Sequence, residues 1–70
     1  MEIAKQFGRN LSTARKEAGM TQGELAARVY MDQGGLSLIE RGYRYPRLDQ
    51  MVKFAAAVGV QVRDLLYGIK

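Results

Sequence analysis

The stretch Gln22 to Gly42, QGELAARVYMDQGGLSLIERG, decides how the rest of the chain is read. It divides into a short helix, a tight turn of about four residues and a second short helix. Thr21-Gln22-Gly23-Glu24 has the form of a capping box: the threonine oxygen accepts from the Glu24 amide, and the Glu24 carboxylate accepts from the Thr21 amide. Leu25, Ala26 and Val29 supply the buried face of the first helix, and the small Ala26 lets another helix cross nearby. Tyr30 and Met31 form the turn, and Asp32 caps the second helix. Along that helix Leu36, Ile39 and Glu40 share one face, while Gln33, Gly34, Ser37 and Leu38 share the other. Gly42 ends it.

Upstream, Ile3, Phe7, Leu11, Ala14 and Ala18 recur at spacings of three and four and predict a helix from Glu2 to Ala18. Glu2 suits the positive end of its dipole, and Gly19 stands as the left-handed terminator. Gly8 inside this helix costs about 1 kcal/mol relative to alanine, so either the first turns fray or another element packs closely there. Downstream, Pro46 restricts Tyr45 and keeps Tyr43 to Arg47 a loop. Leu48, Met51, Val52, Ala55 and Val58 predict a fourth helix, stopped by Gly59. A last short helix follows Val60, weakly capped by Gln61, with Val62, Leu65 and Leu66 apolar and Gly68 at its end. Five helices without a strand signal predict a compact all-α bundle, one domain over residues 1–70.

Composition narrows the chemistry. A chain of this size buries only about 60% of its unfolded surface. Such chains lean on disulfides, a metal, a partner subunit or efficient helix packing. Cysteine and histidine are both absent, which removes disulfides, thiolate chemistry and nearly all zinc or iron sites. No cofactor or small-molecule substrate is expected. Neither is catalysis, since the chain has no glycine-rich phosphate loop and no carboxylate pair with a visible cleft. No apolar run approaches the roughly 20 residues that span a bilayer, and no secretion signal opens the chain. The expectation is a soluble, cytoplasmic protein with no membrane contact. The net charge of +4 favours a polyanionic partner.

Two charges fall within the apolar stripes. Arg15 is in phase with Leu11, Ala14 and Ala18, and Glu40 with Leu36 and Ile39. Unpaired buried charge is costly, so the two are expected to meet as an ion pair joining the first helix to the third.

These residues carry a resemblance. The chain resembles the lambda-repressor-like domains, the phage repressor and Cro type of helix-turn-helix protein. The match lies in Arg15, Gly19-Met20-Thr21-Gln22, Glu24-Leu25-Ala26 and Leu36-Ser37-x-Ile39-Glu40-Arg41-Gly42, continuing through Pro46, Ala55–Ala57, Gly59-Val60 and Leu65-Leu66. The resemblance implies a five-helix bundle whose helices 2 and 3 form the DNA-binding motif, with helix 3 in the major groove. By position, the base readers would be Gln33, Gly34, Ser37 and Leu38. Glutamine pairs bidentately with adenine, and leucine can meet a thymine methyl. Gly34 and Gly35 stand where polar side chains are usual.

Phosphate contacts are expected from Gln22, in the first turn of helix 2, and from Arg41, Arg44 and Arg47. The three arginines lie within seven residues that contain no acid, interleaved with Tyr43 and Tyr45. Asp32 opposes this picture, since a carboxylate beside DNA repels it. The resulting expectation is a bacterial or phage transcriptional regulator, most simply a repressor, binding near-palindromic duplex DNA as a homodimer. Val60, Val62 and Ile69 are the expected exposed apolar residues for the dimer contact. The rival is a protein-interaction module or antitoxin-type partner that keeps the fold with weak or lost DNA readout.

Overall fold

A computed structural model describes residues 2–70, in which five helices follow one another: α1 (Glu2–Glu17), α2 (Gln22–Arg28), α3 (Gln33–Glu40), α4 (Leu48–Val58) and α5 (Val62–Leu65). Among the described residues there is no strand. The core is one cluster in which Phe7 and Leu11 of α1 meet Leu25 and Ala26 of α2, Leu36 and Ile39 of α3, Phe54, Ala55 and Val58 of α4, and Leu65 of α5. Burying a leucine, isoleucine or phenylalanine side chain contributes roughly 1.5–3 kcal/mol each. So small a cluster leaves little margin if one member is lost.

Helix ends follow the local chemistry. The Thr21 hydroxyl accepts from the Glu24 amide at 3.1 Å while Glu24 accepts from the Thr21 amide at 2.8 Å. Asp32 accepts from the Gly35 amide at 3.1 Å. The side chains of Gln50 and Asp64 accept from the Arg47 and Gln61 amides and start α4 and α5 in the same way. Gly19, Gly42, Gly59 and Gly68 all have left-handed φ.

Gly8 is explained by packing. A Cβ there would lie 2.5 Å from the Ile39 carbonyl oxygen and closer still to that of Glu40. Only a glycine lets α1 press against the C-terminal turn of α3. Gly42 is similarly tight, since its Cβ would sit 2.8 Å from the Lys5 Cα. The first turns of α1 are held against the end of α3.

Three expectations about burial need correction. In α1 the buried positions are Ala4, Phe7, Gly8, Leu11 and Arg15, so the stripe lies on the Ala4 side of Ile3, and Ala18 falls beyond the helix in an exposed turn. In α4 the inward residue is Phe54, whereas Leu48 and Val52 are 70% and 52% exposed. Phe54 shares a face with Met51, Ala55 and Val58 and meets Phe7 at a ring separation of 6.4 Å. Val60, Val62 and Ile69 are half-buried and packed against the core. With α5 only four residues long, these flanking side chains are needed to close its end of the bundle. The apolar groups that do face solvent near the C-terminus are Leu66 and Tyr67. That end is also tied down by Asn10, which no local pattern marks, and whose amide donates to the carbonyls of Leu65 at 2.9 Å and Tyr67 at 2.8 Å.

Candidate nucleic-acid interface

Behind the α2–α3 motif lies a polar knot. Arg15 Nε donates to Glu40 Oε2 at 2.7 Å and Arg15 Nη2 to Glu40 Oε1 at 3.1 Å. Arg15 Nη1 donates to the Met20 carbonyl at 2.8 Å. The two residues are 8% and 9% exposed. Burial on this scale is tolerable because the charges face each other bidentately and the third guanidinium nitrogen finds a carbonyl. The knot joins the last turn of α1, the loop before α2 and the last turn of α3.

Gln22 belongs to this knot. Its amide nitrogen donates to Glu40 Oε1 at 2.9 Å. An ionised carboxylate has about four acceptor positions, and Arg15 leaves room for this third bond. The side chain expected to face an anion is thus partly turned inward. Its carbonyl oxygen, its second N–H and the backbone amide are what remain for an outside ligand.

The front of α3 is different. Gln33 and Gly34 are exposed, and Ser37 and Leu38 are half-buried. The Gln33 side chain lies back over α2, its Oε1 3.3 Å from where a Cβ on Gly23 would stand. Gly35 is buried rather than presented to solvent. The face anticipated for base reading is therefore Gln33, Gly34, Ser37 and Leu38 as one surface, with Gly35 beneath it.

The three loop arginines have three different surroundings. Arg41 donates to the Ser37 carbonyl at 3.4 Å and lies over the Tyr43 ring, 5.3 Å from its centroid. Arg47 pairs with Asp49 at 3.2 Å, with the arginine side chain 73% exposed. A pair this open contributes little to stability and is readily given up to a stronger anion. It also holds the Asp49 carboxyl below the usual carboxylate range. Arg44 turns back across the first turn of α3, its Nη1 3.3 Å from the Cβ position of Gly35. Asp32 Oδ1 lies 3.3 Å from that same point.

Tyr30, in the turn between the motif helices, has φ 58° and is 91% exposed. A non-glycine residue in that conformation is strained. Among the described residues no group of acidic, histidine or cysteine side chains could hold a metal ion. No described helix is long and apolar enough to cross a membrane.

Comparison with known proteins agrees with this geometry. A family model described as helix-turn-helix matches residues 11–65. An uncharacterized HTH-type transcriptional regulator, y4dJ of Sinorhizobium fredii, is 38% identical over 66 residues, covering 94% of this chain and 86% of its own. The HTH-type transcriptional regulator ImmR of Bacillus subtilis is 37% identical over 60 residues, and the chain spans 47% of its length. Among solved structures, the restriction-modification controller protein C.AhdI of Aeromonas hydrophila superposes with a TM-score of 0.88 at 29% identity, over 93% of this chain and 98% of its own. The clp gene regulator ClgR of Corynebacterium glutamicum gives 0.89 at 30% identity, over 91% and 68%.

Proposed function

This chain belongs to the helix-turn-helix family, and on that premise we propose that it represses transcription by binding near-palindromic duplex operators as a homodimer. It is a transcriptional regulator with a helix-turn-helix DNA-binding domain. The repressor role, the dimer and the contacts are our reading. The observation that carries the reading is the accessible front of α3, followed in sequence by Arg41, Arg44 and Arg47, whose charges supply +3 of the net +4. In the proposed complex α3 enters the major groove, and Gln33, Ser37 and Leu38 face base edges with Gly34 allowing close backbone approach. Gln22, Arg41 and Arg47 contact phosphate and set register.

The dimer is proposed to close through the C-terminal part. There Leu66 and Tyr67 are the exposed apolar residues, and they are the side chains proposed to make the contact. Half-sites would lie about one helical turn apart.

The test is fluorescence anisotropy on mixed and enriched duplexes across a salt series. Counterion release gives a log–log slope near −0.9 per phosphate contact. Two arginine contacts per protomer give a slope of about −3 to −4 for the dimer. Absence of binding at low salt would contradict the proposal and favour a protein-interaction role for the fold.

A further inference from the structure

We propose that Arg44, reaching in from the α3–α4 loop, is a base-reading residue that takes the place left by the two glycines of the reading helix. This rests on the DNA-binding reading above and sharpens it.

Three observations converge. First, the Arg44 guanidinium reaches back from the loop toward α3. It crosses the first turn of α3, and a Cβ on Gly35 would stand 3.3 Å from its Nη1. A larger residue at position 35 would compete with the arginine for that space. Second, Arg44 is exposed, and among the described residues no hydrogen bond or ion pair engages its guanidinium. Arg41 and Arg47, by contrast, each already hold a protein acceptor. All five N–H donors of Arg44 therefore remain available to a ligand. Third, Asp32 uses one carboxylate oxygen to cap the Gly35 amide and turns the other toward the space Arg44 occupies. A carboxylate there is unfavourable beside phosphate. Beside an arginine it favours the guanidinium held over the helix, which gives Asp32 a second role besides capping.

The chemistry selects the target. The N-terminal part of a helix-turn-helix reading helix is the part that meets base edges. A guanidinium placed there matches the O6 and N7 acceptors of guanine, the commonest specific contact in the major groove. Arg44 is thus assigned to one guanine in each half-site, whereas Arg41 and Arg47 remain phosphate contacts. The substitution that separates charge from fork geometry is Arg44→Lys, since lysine serves at a phosphate but cannot make the planar bidentate pair.

The experiment is selection of bound sites from a random duplex library by the wild-type protein, R44K and R47K, followed by salt titrations on the wild-type site. R44K is expected to lose a guanine preference of about 5- to 100-fold at one position of each half-site, with the salt slope unchanged. R47K is expected to select the wild-type site. If R44K selects the same site as the wild-type protein, the assignment is overturned. If the wild-type protein itself enriches no site, the DNA-binding reading fails, and this assignment with it. Circular dichroism of R44K, at an exposed position, checks that the fold is intact.

Discussion

The two sides of the α2–α3 motif are built on opposite terms. On the inner side every polar group has a partner: Arg15 is held by Glu40 and the Met20 carbonyl, Glu40 also by Gln22, and α1 touches α3 through Gly8 without room for a methyl group. On the outer side Gln33, Gly34 and Arg44 are exposed, and among the described residues no hydrogen bond or ion pair fixes the Arg44 guanidinium. Saturated hydrogen bonding fixes the angle between the helices, and unsaturated donors are what a ligand can recognise. The difference predicts that inner substitutions act on stability while outer ones act on binding.

The largest expected effect is on the inner side. Glu40→Ala strands the Arg15 charge and should cost about 3–5 kcal/mol, enough to leave a 70-residue domain largely unfolded. Replacing both residues with apolar side chains of similar volume should recover most of that loss in thermal melts. A small effect of Glu40→Ala would mean the pair is better solvated than its burial implies.

Gly8→Ala comes next. Its methyl group would press on two backbone carbonyls, and overpacking of this kind costs about 1–3 kcal/mol. Ala-for-Gly ordinarily stabilises a helix interior, so the sign of the change in melting temperature settles the matter.

Outer-side effects should leave melting untouched. Gln33→Ala is expected to relax base preference by about 1–3 kcal/mol at one position, and Arg47→Ala to weaken all duplexes alike and flatten the salt slope by about 0.9 per protomer. Equal effects of the two on specificity would break the division.

The smallest effect concerns pH. The Thr21 backbone amide donates to the Glu24 carboxylate and is the main cause that holds its carboxyl below the usual range. A folded value below the unfolded one stabilises fully above the unfolded value and is lost as pH falls through the folded value. The gap in melting temperature between wild type and Glu24→Gln should therefore close on acidification. A gap that stays constant from neutral to acid pH would remove the capping interpretation.

Much of the fold could be read from the chain because its punctuation is local. Thr21, Glu24, Asp32 and the glycines after each helix act within a few residues, and helical phase brings Arg15 and Glu40 inward together. Phase failed where an apolar stripe had two edges. In α4 it admitted Leu48 and Val52, which are exposed, and omitted Phe54, whose position depends on Phe7 nearly fifty residues away in sequence. The candidate interface was legible as a set of residues but not as an arrangement. That Gln22 turns toward Glu40 and Arg44 folds back over Gly35 depends on contacts across 18 and 9 positions of sequence, which no periodicity records. Tyr30 shows the same limit, since no local rule places a tyrosine at φ 58°.

The most direct test of the division is the backbone amide NMR spectrum recorded as duplex DNA is added. The predicted result is shift changes concentrated at Gln22–Gly23, Gln33–Leu38 and Arg41–Arg47, weakening together as salt is raised. Changes centred instead on Arg28, Tyr30 and Lys53–Ala57, or none at low salt, would contradict it.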